Sequence, residues 1–417
     1  MPAKNSLRDP RVLMLAAASI LLITTGIRQS MGLFVLPIVA TTGVSLVSIS
    51  FALAIGQFAW GAGQPIVGAI ADHYGAYRVM IVGALLLAVG AALAPWSSSE
   101  LGFTMTLGVL VAAGAAGGSF AILIGITAQY LPPEKRSFAA GFINAGGSFG
   151  QLLFAPATQF LIGSAGWGIG MLAISLSGLL TIPIAWLFRG NGGGAADASP
   201  AQAGSAAQKP PSIGLRQQLR IAARDRNYLY LHAGFFTCGF HIAFLVTHLP
   251  GDLQMCGLSA TVAANSLALI GAFNVVGSLS VGWLGGRFRM KNILVWLYAS
   301  RAAVIVCYLL MPKTALNVYI VAGALGVSWL ATVPPTAGLV GKLFGTRYLT
   351  TLFGLTLLTH QIGGFLGAWL GGVAMARLGS YDWVWYADIV LALFAALINL
   401  PIQEAAPFKG TVEGAPA

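Results

Sequence analysis

The sequence predicts an all-α membrane protein in which twelve transmembrane helices form two pseudo-symmetric six-helix bundles. Three observations predict this fold. Of the 417 residues, 57% are hydrophobic and only 8% are charged, whereas soluble domains carry about 25% charged residues. Twelve apolar stretches reach the roughly 20 residues that cross a bilayer core. A polar segment divides these stretches into six and six.

The spans are placed by the apolar runs and the polar breaks between them. In the first half of the chain we predict spans at 12–39, 46–71, 78–96, 102–130, 137–163 and 167–188. In the second half we predict spans at 227–250, 259–285, 292–311, 315–341, 349–377 and 383–402. The first apolar run is longer than a typical signal-peptide core, so we interpret it as a span and not as a cleaved signal.

The positions of lysine and arginine predict the orientation in the membrane. The net charge of +11 would also suit a nucleic-acid-binding protein. However, all but four of the 22 Lys and Arg residues lie in the loops and tails of one side. The four exceptions are Lys313 and Arg377 on the other side, and Arg28 and Arg301 within spans. This positive-inside pattern predicts cytoplasmic termini in a cell inner (plasma) membrane, with no nucleic-acid partner.

The polar segment at 190–226 predicts a cytoplasmic linker that ends in a short basic amphipathic helix. Residues 190–211 are rich in glycine, alanine, serine, glutamine and proline, which is typical of flexible linkers. The two faces of the helix are Leu215, Leu219 and Ala222, and Arg216, Arg220 and Arg224. Such a helix is expected on the inner membrane surface. A tether to lipid headgroups and a regulatory role both stay open.

One loop recurs in the two halves of the chain. Residues 68–78 follow the second span, open with glycine and become basic, and residues 282–291 do the same after the eighth span. Residues 68–78 resemble the signature loop of the major facilitator superfamily, G-x-x-x-D-[RK]-x-G-x-[RK]-[RK]. The matching positions are Gly68, Asp72, Gly75 and Arg78, and the departures are His73 for a base and, in the second copy, Gly286 for the acid.

This resemblance covers essentially the whole chain. It implies the major facilitator fold, with an N-terminal bundle at 1–189 and a C-terminal bundle at 227–417. Two such halves imply a substrate site between them and transport by alternating access. Asp72 and Arg78 are expected to serve gating, because a carboxylate there can hold the inner face closed through a helix N-terminus or a basic partner.

A second resemblance concerns residues 130–151, which are similar to the span-four-to-five region of monocarboxylate porters and oxalate/formate exchangers. That branch moves small organic acids, often with a proton or in exchange, so the resemblance implies an anionic substrate. Monocarboxylate porters often carry an acid–base pair on spans one and eight. Here the eighth span contains Asn265 and Asn274 but no charge, which argues against the usual proton-coupling arrangement.

Apart from Arg78 and Arg377 at the ends of spans, three charged residues lie inside the predicted spans: Arg28, Arg301 and Asp388. A charge within the hydrocarbon costs several kcal/mol and usually marks function. Arg28 has no acid near it in sequence, and its guanidinium can grip a carboxylate through two parallel hydrogen bonds. Capture of a substrate anion and a structural role on the carbonyls of a neighbouring helix are both open for Arg28.

Arg301 and Asp388 lie at similar depth in spans nine and twelve, with heights that differ by about 6 Å at helical rise. A structural ion pair between them would explain both charges. The alternative is a proton or substrate relay in which Asp388 titrates.

Polar residues within the spans are candidates for the cavity wall. Asn144, Ser148 and Gln151 share one face of span five, and Gln57 lies in a similar stripe on span two. The substrate-binding set that we predict is Arg28, Gln57, Asn144, Gln151, His241, Asn274, His360 and Gln361. His241 or His360 could replace the missing acid as proton carrier. Ordinary interhelical hydrogen bonds are the alternative for each of these residues.

The sequence thus predicts a secondary active transporter for a small, monocarboxylate-like organic anion, coupled to protons or working by exchange. Its expected partners are that anion, protons in the coupled form, and the lipid bilayer, and we expect a monomer. An exporter of amphipathic or drug-like compounds and a transport-dead nutrient sensor are alternatives. An enzyme is not expected, because the spans contain no nucleophile–base–acid set. No metal or other cofactor is expected, and no phosphate loop indicates ATP.

Overall fold

A computed structural model describes residues 9–128, 130–131, 133–189, 214–345 and 348–404. Linker residues 190–213 and the side chain of Asp72 lie outside this description. The flexible linker and the gating role of Asp72 therefore stay predictions. Where the description resumes, a short helix follows the linker, as expected from the amphipathic pattern.

The described residues are helical and contain no β-strand. The helices of the first half (residues 9–189) are α1 (Pro10–Gln29), α2 (Gly32–Thr42), α3 (Leu46–Tyr74), α4 (Ala76–Leu93), α5 (Glu100–Phe103), α6 (Ala112–Gly117), α7 (Phe120–Ala128), α8 (Pro133–Ala165), α9 (Trp167–Leu179) and α10 (Thr181–Ala185). A π-helix at Thr104–Val111 joins α5 to α6.

The helices of the second half (residues 214–404) are α11 (Leu215–Ala222), α12 (Arg226–Met255), α13 (Ala260–Leu284), α14 (Met290–Leu310), α15 (Ala315–Ser328), α16 (Val333–Phe344), α17 (Leu349–Leu378) and α18 (Asp382–Asn399). The predicted all-α membrane architecture is confirmed.

Among the described residues, ten helical stretches are long and apolar enough to cross a membrane. The predicted fifth and eleventh spans correspond to α8 and α17, which have 33 and 30 residues but are less apolar. Their polar content explains the difference, because α8 carries Asn144 and Gln151 whereas α17 carries His360 and Gln361. The total of twelve spans and the cytoplasmic termini stay predictions.

Four spans that we predicted as single helices are interrupted. The first bends at Ser30–Met31 between α1 and α2, and the fourth is broken at Gly118–Ser119 between α6 and α7. The sixth has a turn at Leu180 between α9 and α10. The tenth is broken at residues 329–332 between α15 and α16. Irregular backbone at membrane depth requires protein groups that satisfy it. At the tenth span these groups are the side chains of Arg301 and Asn274.

Glycines allow the two polar helices, α8 and α17, to pack closely against their neighbours. A Cβ at Gly150 would overlap the carbonyl of Leu22, so α8 lies backbone to backbone against α1. A Cβ at Gly239 would overlap the carbonyl of His360, so α17 lies equally close to α12. Small residues have this role in membrane helices generally. The two halves then meet along α3–α17 and α8–α13, with α2 against α12.

Candidate functional site

A small cavity lies between the two halves of the chain. The polar residues of its wall are Thr25, Arg28, Gln29 and Gln57 from the first half, and His360 and Gln361 from the second half. Its volume is about 30 Å³, which is room for one or two water molecules. A carboxylic acid therefore requires the halves to move apart before it can enter.

Arg28 lies in the last turn of α1, and its guanidinium contacts two side chains of α3. Nη2 donates a hydrogen bond of 2.7 Å to Oε1 of Gln57. The guanidinium carbon lies 3.8 Å from the ring centroid of Trp60, which is a cation–π contact. Among the described residues, no carboxylate lies within 4 Å of Arg28. The guanidinium keeps unused donors toward the cavity, since it has five N–H groups.

His360 and Gln361 of α17 line the opposite wall. The amide nitrogen of Gln361 lies 2.9 Å from Nδ1 of His360 and can only donate, so Nδ1 accepts. The proton of the neutral imidazole is then on Nε2. Nε2 of His360 and Oε1 of Gln361 are buried and have no hydrogen-bond partner in the structure. One unused donor and one unused acceptor thus line the same cavity as Arg28.

The predicted residues Asn144 and Asn274 do not line the cavity. Asn144 donates a hydrogen bond of 2.9 Å to Ser278, and Asn274 donates one of 2.7 Å to Ser148. Each bond connects α8 of the first half with α13 of the second half. The interhelical interpretation therefore describes both asparagines in this structure, and their contact to substrate stays a prediction.

Gln151 is also buried behind the cavity wall. Its side-chain oxygen accepts a weak hydrogen bond of 3.4 Å from Gln29, while its Nε2 has no partner. Gln29 lines the cavity but was not among the predicted residues. The sequence feature that could have pointed to Gln29 as a cavity residue was its position directly after Arg28.

The ion pair that we predicted between Arg301 and Asp388 is not formed among the described residues. Asp388 Oδ2 lies 2.6 Å from Nδ1 of His241. Arg301 donates instead to the carbonyls of Ser328 and Trp329, at 2.8 and 3.0 Å. The break in the tenth span frees these carbonyls. We did not predict this break, although Pro334 and Pro335 directly after it were an available signal. His241 turns toward Asp388 and does not line the cavity.

Aromatic residues of the cavity were also missed. Trp60 covers the guanidinium of Arg28, and the ring centroid of Phe235 lies 4.6 Å from that of His360. An aromatic residue in an apolar span gives no pattern that separates a site residue from packing. At the predicted gate, Arg78 is exposed and donates to the hydroxyl of Tyr77.

Long apolar helices that enclose a small polar cavity between two halves define the class of polytopic membrane transporters. Comparison with known proteins agrees with this class. The sequence profile of the Major Facilitator Superfamily matches residues 16–368. The chain belongs to this superfamily, as the signature loop at 68–78 indicated, and it is not an enzyme.

Individual relatives are distant but cover most of the chain. The uncharacterized MFS-type transporter YcxA of Bacillus subtilis is 25% identical over 89% of this chain and 90% of its own length. Monocarboxylate transporter 13 of Bos taurus is 25% identical over 90% of this chain and 85% of its own. The Fujikurins efflux protein of Gibberella fujikuroi is 24% identical over 78% and 70%. Among solved structures, a D-xylose–proton symporter has the same fold, with a TM-score of 0.71 at 13% identity over 93% of this chain and 97% of that one.

Proposed function

We propose that the protein is a secondary active transporter that carries a small organic anion of the monocarboxylate class across the inner membrane by alternating access. Arg28 holds the carboxylate, and His360 completes its binding from the other half of the chain. The observation that carries this proposal is the environment of Arg28. Its guanidinium borders the cavity with an amide and an indole as partners, and with no carboxylate in reach among the described residues.

The acidic residues of the chain support an external partner for Arg28. The sequence contains 11 Asp and Glu residues. Asp388 is the one that we placed deep in a predicted span, and it is bonded to His241. Asp252 lies near the end of α12 and accepts from Tyr308 and Trp385. A substrate carboxylate would satisfy Arg28 through charge-assisted hydrogen bonds.

The opposite wall supports a ligand that bridges the halves. Nε2–H of His360 can donate to the same carboxylate, and Oε1 of Gln361 can accept from a hydroxyl group on the substrate. A ligand that contacts both walls stabilises the closed cavity relative to the open forms. This difference in affinity is what lets substrate drive the movement of the halves.

Three properties limit the size and class of the substrate. The cavity is small, its unpaired charge is positive, and rings of Trp60, Phe120 and Phe235 border it. These favour a short carboxylate with a small apolar body. The name of the bovine relative supports the same class. Coupling is to protons or to a second anion in exchange.

The test uses purified protein in proteoliposomes and a panel of ¹⁴C-labelled carboxylates, with pyruvate, lactate, formate and oxalate as probes. We expect saturable uptake of at least one of them. Arg28→Ala should lower this uptake about 10- to 150-fold at substrate concentrations below the KM, because the loss of a charge-assisted contact removes about 1.5–3 kcal/mol of binding. Arg28→Lys should retain part of it, since an ammonium keeps the charge but not the fork.

Arg377→Ala is the matched control, because Arg377 is exposed at the end of α17 away from the cavity. It should transport like the wild type. Undiminished uptake in a correctly folded Arg28→Ala protein would refute the assignment of Arg28.

A second candidate is export of amphipathic compounds. The aromatic rings of the cavity favour it, and so does the name of the fungal relative, an efflux protein. It predicts that lipophilic dyes, and not the carboxylates of the panel, are transported and that Arg28→Ala leaves their transport intact.

A further inference from the structure

A second buried polar cluster lies behind the cavity wall, within the second half of the chain. His241 of α12 and Asp388 of α18 are each 1% exposed, and their side chains meet at 2.6 Å. Arg301 of α14 is equally buried. None of these three residues borders the cavity. The anion site proposed above therefore leaves this cluster without a role.

The hydrogen bond between His241 and Asp388 fixes the state of the imidazole. An ionised carboxylate can only accept, so Nδ1 of His241 donates the proton. Nε2 of the neutral ring then carries a free lone pair, and this atom is buried without a hydrogen-bond partner. An imidazole that is oriented and charge-compensated by a carboxylate at one nitrogen is an effective proton acceptor at the other.

The other described histidines lack this arrangement. Nε2 of His248 donates to the carbonyl of Ala368, Nδ1 of His232 lies against the hydroxyl of Thr359, and Nδ1 of His360 accepts from a glutamine. Among the described residues, His241 is the histidine with a carboxylate partner.

We infer that His241 and Asp388 form a proton-binding site that couples proton uptake to anion transport. Hydronium transfers its proton to Nε2 of His241 and is left as water, which gives an imidazolium paired with the carboxylate. The coupling part of this inference rests on the proposed function, whereas proton binding by the pair does not.

The charges around the pair fit this role. Arg301 and Tyr298 of α14 and Cys238 of α12 lie around the pair of His241 and Asp388. The neighbouring helix α17 carries His360, which lines the cavity, and α13 contains no titratable residue. Arg301 and Asp388 cancel in net charge when His241 is neutral. A bound proton adds one positive charge and a bound carboxylate one negative charge. Uptake of both leaves the charge of the spans unchanged, which avoids the cost of an extra charge in the membrane.

The break in the tenth span connects the pair with the cavity. The ring centroid of Trp329 lies 5.4 Å from that of His241, and the next residue, Leu330, borders the cavity. The backbone N–H of Leu330 donates to Asn274, which in turn donates to Ser148 of the first half. The break at residues 329–332 therefore connects His241 with the cavity and with the contact between the halves, so protonation of His241 can affect both.

The experiment compares two transport modes in proteoliposomes with ¹⁴C-pyruvate as the probe. One is accumulation driven by an inward proton gradient, and the other is counterflow exchange at equal pH. In His241→Asn the amide can still donate to Asp388, but the nitrogen that takes the proton is gone. We expect gradient-driven accumulation to fall to the level without a gradient, while exchange stays within about twofold of the wild type.

His248→Gln is the matched control, because His248 is a buried histidine two turns along the same helix without an acid partner. It should retain both modes. Gradient-driven accumulation by His241→Asn at the wild-type level would overturn the inference.

A second measurement does not depend on the substrate. Nitrogen-15 NMR of histidine-labelled full-length protein in nanodiscs, with His241→Asn to assign the signal, should show Nε2 of His241 gaining a proton between about pH 8 and pH 5. An Nε2 that stays unprotonated over this range would overturn the proton site. If the wild type carries no carboxylate, the proposed function fails while this titration still decides whether His241 binds a proton.

Discussion

Each half of the chain places one arginine away from the ends of its spans, Arg28 in the first half and Arg301 in the second, and the two have different partners. Arg301 in the second half is 1% exposed and donates to two backbone carbonyls of a broken helix. Arg28 in the first half is only partly buried, borders the cavity, and has a neutral amide and an indole as partners. Its own half supplies no acid to it among the described residues.

The difference shows how to separate a structural charge from a functional one. A charge in the membrane is costly in either case. Where the chain satisfies the charge itself, as at Arg301, the cost is offset within the fold. Where it does not, as at Arg28, the offset has to come from a ligand. Variants that remove each arginine in turn, or that give Arg28 an acidic partner, test this distinction.

The largest effect is expected from removing Arg301. Arg301→Met should lower the free energy of unfolding by about 2–6 kcal/mol, because it leaves two buried carbonyls without a donor, at about 1–3 kcal/mol each. Arg28→Met should change it by less than about 1 kcal/mol, since Arg28 has neutral partners. Thermal unfolding of both variants in detergent measures the difference. Equal losses would show that the two arginines do not differ in structural role.

A second variant gives Arg28 the acid that it lacks. In Gln57→Glu the new carboxylate would lie where Oε1 now accepts from Arg28, at 2.7 Å. It should compete with the substrate for the guanidinium and raise the Kd for the transported carboxylate about 10- to 150-fold, the equivalent of one charge-assisted hydrogen bond. Isothermal titration measures this. Gln217→Glu, which makes the same change at an exposed position of α11 away from the cavity, is the control.

Unchanged affinity in Gln57→Glu would mean that the carboxylate does not bind at Arg28. If Gln57→Glu binds the anion more weakly and is also more stable than the wild type, the new carboxylate satisfies Arg28 within the fold. Arg28 would then resemble Arg301, whose charge the chain satisfies itself.

The sequence predicted the all-α membrane architecture and Arg28, which among the described residues is the charge at the cavity, because both depend on composition and on position within a span. Gln57, His360 and Gln361 were also predicted, and all three line the cavity with Arg28. Each of them was predicted because it is a polar side chain in an apolar helix. This pattern can be recognised without knowing the neighbouring helices.

The partners of these residues could not be predicted in the same way. The pairing of Arg301 with Asp388 was inferred from equal depth, but depth says nothing about rotation around the helix axis or about the break at 329–332. That break offers Arg301 two carbonyls and leaves Asp388 to His241. The hydrogen bonds of Asn144 and Asn274 across the two halves could not be predicted for a related reason, since a polar stripe looks the same whether it meets a cavity or another helix.

The smallest effect is expected at the contact between the halves, which is neutral and hydrogen-bonded. Asn144→Ala removes the bond to Ser278, but Ser278 keeps a bond to Asn274 at 3.3 Å. One interhelical hydrogen bond in a membrane protein contributes about 0.6 kcal/mol, so separation of α8 from α13 should become about threefold more frequent. Hydrogen–deuterium exchange along both helices measures it, with Ser164→Ala, an exposed position of α8, as control. Exchange that does not rise would show that the bond from Asn144 to Ser278 does not help to hold the halves together.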